Sequence, residues 1–180
     1  GVPLAALAQS GAKKIIRAMP NTPEKIGQGV VGWIASPAVS SEETALMVDF
    51  CQRFGLVFAC RTEDDIDKLT AVTGSGPAYV FYIMECLIAA ARNLGFSDSQ
   101  ARQIVSATFS GASKLAEQDG DPARLRAQVT SKGGTTEAAI RVFDDRDIQS
   151  IWQAAVQAAY QKAKELGTPT EQFLAATKGG

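Results

Sequence analysis

Histidine is absent from all 180 residues. That removes the usual general base near neutral pH, the Ser–His and Cys–His nucleophile pairs, and the commonest metal ligand. Cysteine is scarce as well. Cys51, Cys60 and Cys86 make an odd count with no C-x-x-C spacing, so neither a disulfide framework nor a zinc site is expected, and no other metal site is predicted. The three read as reduced core residues of a cytoplasmic protein. Charge of one sign is lacking too: 18 Lys and Arg face 19 Asp and Glu, for a net charge of -1. The basic residues are scattered, which gives no nucleic-acid surface. No signal peptide is legible, and the chain opens Gly1-Val2-Pro3 without Met, so it is expected to be a fragment.

Any chemistry therefore rests on hydroxyls, carboxylates, backbone amides or a borrowed cofactor. The composition, 46% hydrophobic and 21% charged, is that of a globular protein with one good core or two small ones.

The most informative stretch is Val129-Thr130-Ser131-Lys132-Gly133-Gly134-Thr135-Thr136-Glu137. Two glycines lie between hydroxyl residues, and an apolar run follows at helical spacing (Ala138, Ala139, Ile140, Val142, Phe143). Thr135 is the expected N-cap, and Glu137 suits the first turn. A glycine-rich loop that feeds a helix start presents unpartnered N–H groups, which suits a small anion. The same letters also fit an ordinary helix–loop–helix turn.

The first third alternates. A short helix over residues 4–9 precedes a strand over 13–19. Pro20-Asn21-Thr22-Pro23 forces a turn. Strands are predicted over 30–35 and 56–60, with a helix from Ser40 or Ser41 between them that places Leu46, Met47, Phe50, Cys51 and Phe54 on one face. Three strands and one helix enclose little, so they read as the trailing edge of a larger α/β domain. Gly27-Gln28-Gly29-Val30-Val31-Gly32 matches G-x-G-x-x-G, but Trp33-Ile34-Ala35-Ser36-Pro37 follows instead of a helix, and the match is rejected.

From Glu63 the pattern is helical. Ile66, Leu69 and Val72 share a face, Pro77 suits a first helical turn, and residues 79–91 are apolar nearly all round. Mid-helix Glu85 and a run short of ~20 residues argue against a membrane span. Glu85 is expected to be buried and hydrogen-bonded. Ser97-Asp98-Ser99-Gln100 is a capping box. Gly111 inside the next helix implies close approach by another helix. Asp121-Pro122 opens a short helix. A last helix over 147–166 places Ile148, Ile151, Trp152, Ala155, Val156, Ala159 and Tyr160 inward. Helices this apolar and this few favour an intertwined dimer.

Three segments in order, Arg17-Ala18-Met19-Pro20-Asn21-Thr22-Pro23, Thr73-Gly74-Ser75-Gly76-Pro77-Ala78-Tyr79 and the stretch from Val129 to Thr136, together resemble pyrroline-5-carboxylate reductase. The resemblance implies a mainly α chain: a three-stranded remnant of a Rossmann-like NAD(P)-binding domain (residues 1–62), an all-α dimerisation domain (63–167) and a flexible tail (168–180). It implies NADP(H) or NAD(H) as cofactor, with Met19, Pro20 and Asn21 near the nicotinamide. It assigns Ser131, Gly133, Gly134, Thr135 and Thr136 to the substrate carboxylate, with Thr136 in the catalytic role beside the ring nitrogen. Ser75, Gly76 and Pro77 are expected close to the substrate ring. The implied partners are 1-pyrroline-5-carboxylate, or L-proline as product, and a second copy of the chain, with rings of dimers common. Neither nucleic acid nor membrane is expected as a partner. Lys132, Ala127 and Thr73 depart from the family's usual Pro, Asp and Ser. Two other readings stand beside this one: a non-catalytic helical oligomerisation module, and a related small-acid NAD(P) dehydrogenase. The second calls for a lysine base on a helix, for which neither Lys132 nor Lys114 is well placed.

Overall fold

The computed structural model describes residues 2–167; the tail expected over 168–180 lies outside the described residues. As expected, the chain is mainly helical with a small sheet. The described residues divide into two compact units, one comprising residues 2–77 with 154–167, the other Ala78–Gln153.

In the first unit, α1 (Leu4–Ala8) leads to β1 (Ile16–Met19), a 3-10 turn (Thr22–Ile26), β2 (Gly29–Ala35), α2 (Ser41–Cys51), β3 (Gly55–Ala59) and α3 (Glu63–Leu69). β1 pairs antiparallel with β2, and β2 pairs parallel with β3. Glycine decides the packing. Gly29 and Gly55 stand opposite each other in the parallel pair. Gly55 has φ of 134°, and a Cβ there would overlap the Gly29 carbonyl oxygen. Gly32, opposite Met19 in the antiparallel pair, lacks the Cβ that would overlap Leu69 Cδ2, so α3 lies close on β2. Two glycines of the rejected fingerprint, Gly29 and Gly32, thus lie within a strand and serve strand pairing and helix packing, while Gly27 caps the 3-10 turn in a left-handed conformation.

Capping chemistry fixes the helix starts. Ser40 with Glu43, Thr62 with Asp65 and Ser97 with Gln100 form reciprocal capping boxes, each satisfying otherwise orphaned amides. The box at Thr62 is not singled out by sequence reasoning, because Asp takes the position usually held by Glu or Gln.

α3 does not run straight into α4 (Gly76–Asn93): a π-helical turn, Thr70–Gly74, intervenes. In the second unit α4 is followed by α5 (Asp98–Asp119), α6 (Pro122–Gln128), α7 (Thr135–Asp145) and the start of α8 (Ile148–Gly167). Tyr79 and Trp152 stack edge to face at 5.6 Å.

Several positions expected inside are not buried. Ile148 and Ile151 are exposed, as are Ala155 and Glu85; Leu46 and Phe50, on the apolar face of α2, are exposed too. Nothing lies within 4 Å of a Cβ placed on Gly111 among the described residues, so the expected close neighbour is not found among them. The cause is a thin core: among the described residues Ile66 is the one large side chain fully buried, while Phe81, Tyr82, Val142 and Phe143 are exposed.

Candidate active site

The first set of predicted residues gathers at the end of β1. Arg17 and Met19 point to the same face, as alternate strand residues do. Arg17, 7% exposed, pairs with Glu63 at the start of α3. The same Glu63 accepts from the Leu4 N–H (2.7 Å). Met19 reaches the π-helical turn: a Cβ on Gly74 would lie 3.2 Å from Met19 Cε and 3.3 Å from Thr70 Cγ2.

Asn21 holds the turn from both ends of its amide. The Val30 N–H donates to Asn21 Oδ1 (2.8 Å), and Asn21 Nδ2 donates to the Thr73 carbonyl (2.8 Å). Its side chain is therefore engaged within the chain. The turn itself is closed by the Ser75 N–H donating to the Thr70 carbonyl (3.0 Å). The Thr70 and Thr73 hydroxyls donate back to the Ile66 and Leu69 carbonyls. Met19 and Asn21, with Pro20 between them in the chain, are thus brought against the turn that leads into Ser75, Gly76 and Pro77 at the start of α4. Sequence reasoning missed Thr73 as an anchoring point, because a backbone carbonyl carries no residue signature.

The second set lies in the other unit, between α6 and α7. Gly133 has φ of 75°, a conformation natural to glycine. Its N–H donates to Glu137 Oε2 (2.8 Å), and the Gly134 N–H donates to the Ser131 carbonyl (3.0 Å). A Cβ on Gly134 would lie 2.6 Å from Ser131 Oγ, so the serine hydroxyl folds directly over that glycine. Two expectations change here. The N-cap is Gly134, not Thr135, and it offers no side-chain cap. The Gly134 amide is already taken. The amides of Thr135, Thr136 and Glu137 have no partner among the described residues, and they form the donor set at the positive end of an 11-residue helix.

A mixed-charge cleft of about 460 Å³ is lined by residues including Arg17, Glu63, Asp67, Gln161 and Lys164. Burial pushes the Asp67 carboxyl up. The Lys68 ammonium, then the Tyr160 hydroxyl, hold Asp64 below its ordinary range. None of the predicted site residues lines this cleft. No group of three or more His, Cys, Asp or Glu suited to a metal occurs among the described residues.

A small mixed sheet, helices with bare apolar faces and a helix start bearing free amides define the class: a mainly helical chain joined to a small mixed α/β region. A family model described as pyrroline-5-carboxylate reductase dimerisation matches residues 63–166. The chain belongs to the pyrroline-5-carboxylate reductase family.

A pyrroline-5-carboxylate reductase of Corynebacterium melassecola is 36% identical over 170 residues, 93% of this chain and 63% of that protein. One from Pseudomonas aeruginosa is 36% identical over 169 residues, 92% and 62% respectively. The chain thus spans just over three-fifths of the length of these relatives. Among solved structures, the Coxiella burnetii reductase superposes with a TM-score of 0.88 at 37% identity, covering 93% of this chain and 63% of that one. The Plasmodium falciparum enzyme, solved with NADP bound, gives 0.84 at 28% identity, covering 93% and 68%.

Proposed function

We propose that this chain carries the substrate loop and the subunit-pairing helices of an enzyme that reduces 1-pyrroline-5-carboxylate to L-proline. The observation that carries the reading is the set of free amides of Thr135, Thr136 and Glu137 beside the Ser131 hydroxyl, in a family of that name.

NADPH or NADH, when bound, supplies a hydride for the C=N carbon. Met19, Pro20 and Asn21 bear no charge, and a thioether with a prolyl ring suits a flat, largely apolar nicotinamide. In this reading the dinucleotide fingerprint belongs to the extra length seen in the relatives, and residues 1–62 close that cofactor domain. The imine arrives protonated, so no histidine acid is needed. The amides at the start of α7 and the Ser131 hydroxyl hold the carboxylate, each charge-assisted bond contributing roughly 1.5–3 kcal/mol. The Thr136 hydroxyl orients the ring nitrogen, which becomes the secondary amine of proline. Residues 75–77 flank the ring. The work is positioning and electrostatics.

The stretch Glu63–Asn93 is long and apolar enough to cross a membrane. Membership of the dimerisation family supports a different occupant for its bare face, a second copy of this chain, and the expected location is cytoplasmic. The test is the full-length gene product, assayed for NAD(P)H oxidation with pyrroline-5-carboxylate and for proline formed. Stoichiometric proline is expected. Cofactor oxidation without proline would overturn the reading.

A further inference from the structure

Asn21 is marked by resemblance as a cofactor contact, yet its amide is engaged elsewhere. Its Oδ1 takes the Val30 N–H of β2, and its Nδ2 reaches the Thr73 carbonyl inside the π-helical turn. The chemistry of the two partners fixes which end of the amide faces which: an N–H requires the oxygen, and a carbonyl requires the nitrogen. Two residues before it, Met19 rests on Gly74, where a Cβ would stand 3.2 Å from Met19 Cε. The turn is held in the i to i+5 form by the Ser75 N–H on the Thr70 carbonyl. Such π turns recur at functional sites.

We propose that Asn21 and Gly74 are positioning residues. Together they fix the Met19 side chain against the turn that starts α4, and so set the nicotinamide platform relative to Ser75, Gly76 and Pro77. Asn21 acts by tying the end of β1 to the helical turn, not by touching the cofactor. Gly74 acts by leaving the space that Met19 fills. The inference rests on the reductase reading above. The two fail separately, since the unmodified enzyme's proline formation decides the first and its variants decide the second.

The test uses the full-length enzyme with two variants. Asn21→Asp keeps the acceptor for the Val30 amide but removes the donor to Thr73. Gly74→Ala places a methyl group against Met19 Cε and Thr70 Cγ2, which must each give by a fraction of an ångström. Misplacement on the ångström scale lowers turnover by up to about 100-fold. The expected result is a kcat loss of about 10- to 100-fold for Asn21→Asp and of a few-fold for Gly74→Ala, with the KM for pyrroline-5-carboxylate held within about twofold. The primary deuterium isotope effect with 4-deuterated NADPH should be larger, because hydride transfer becomes more rate-limiting. A purely structural role would lower the folded fraction and leave kcat per folded enzyme and the isotope effect unmoved; that outcome overturns the proposal. If Asn21→Asp does not fold, Gly74→Ala decides alone.

Discussion

Thr136 and Gly134 carry the sharpest expectations at the scale of single residues. Thr136 lies in the first turn of α7, half-buried. If its hydroxyl orients the substrate nitrogen, Thr136→Ala should lower kcat/KM by about 10- to 100-fold, the worth of one hydrogen bond to a charged group, and Thr136→Ser should recover most of it. Steady-state kinetics on the full-length enzyme checks this; equal kcat/KM for all three forms would remove Thr136 from the mechanism. Gly134→Ala brings a methyl group to 2.6 Å from Ser131 Oγ and 3.0 Å from its carbonyl. The loop must then shift, and the substrate KM should rise while thermal stability changes little. The residues of this loop were legible in the sequence, since glycine and hydroxyl residues announce a turn. Which amides stay free was not. That depends on the Glu137 carboxylate reaching Gly133 and on Ser131 reaching Gly134, choices made by the folded backbone.

Elements follow local rules where caps set them and tertiary rules where packing does. The starts of α2, α5 and α6 were readable from Ser40, Ser97 and Asp121, because capping needs only neighbours in the chain. The π-helical turn was not readable, as nothing in Thr70-Ala71-Val72-Thr73-Gly74 distinguishes five-residue from four-residue bonding. The sheet rests on its glycines. Gly55→Ala combines a φ of 134° with overlap on the Gly29 carbonyl, both backbone features that cannot rotate away. It should destabilise by at least ~3 kcal/mol, whereas Gly76→Ala, with nothing within 4 Å, should change stability by less than ~1 kcal/mol. Urea denaturation of both variants tests the contrast.

The tie between α8 and α3 is electrostatic, with Tyr160 donating to Asp64 beside Lys68. Asp64 has a depressed carboxyl pKa in the folded chain. Its contribution to stability is therefore present above the unfolded value and is lost as pH falls through the folded one, below about pH 4. Asp67, raised by burial, has the opposite sign. Asp64→Asn should flatten the acid limb of the stability profile; an unchanged limb would mean that this tie contributes nothing.

At the scale of the whole molecule, the bare faces dominate. Phe81, Tyr82, Phe143 and Ile151 are 57%, 68%, 48% and 61% exposed, so the single chain leaves uncovered what a soluble monomer would bury. Sequence periodicity showed that α4, α5 and α8 have apolar faces, but it did not show that the same chain leaves them open. Glu85 was expected inside for that reason. If two copies pair as proposed, sedimentation equilibrium should give a dimer, with a midpoint of thermal unfolding that rises with protein concentration. A monomer at micromolar concentration would contradict it. This chain alone is expected to pair yet show little reductase activity, and proline formation by it without further sequence would overturn that expectation.

The reductase reading requires the start of α7 to grip a carboxylate. The most direct measurement compares kcat/KM of the full-length enzyme for 1-pyrroline-5-carboxylate with that for 1-pyrroline, which lacks the carboxylate. Two or more charge-assisted bonds predict a preference of at least ~100-fold, diminished in Ser131→Ala. Equal kcat/KM for the two imines would mean that the start of α7 holds no carboxylate.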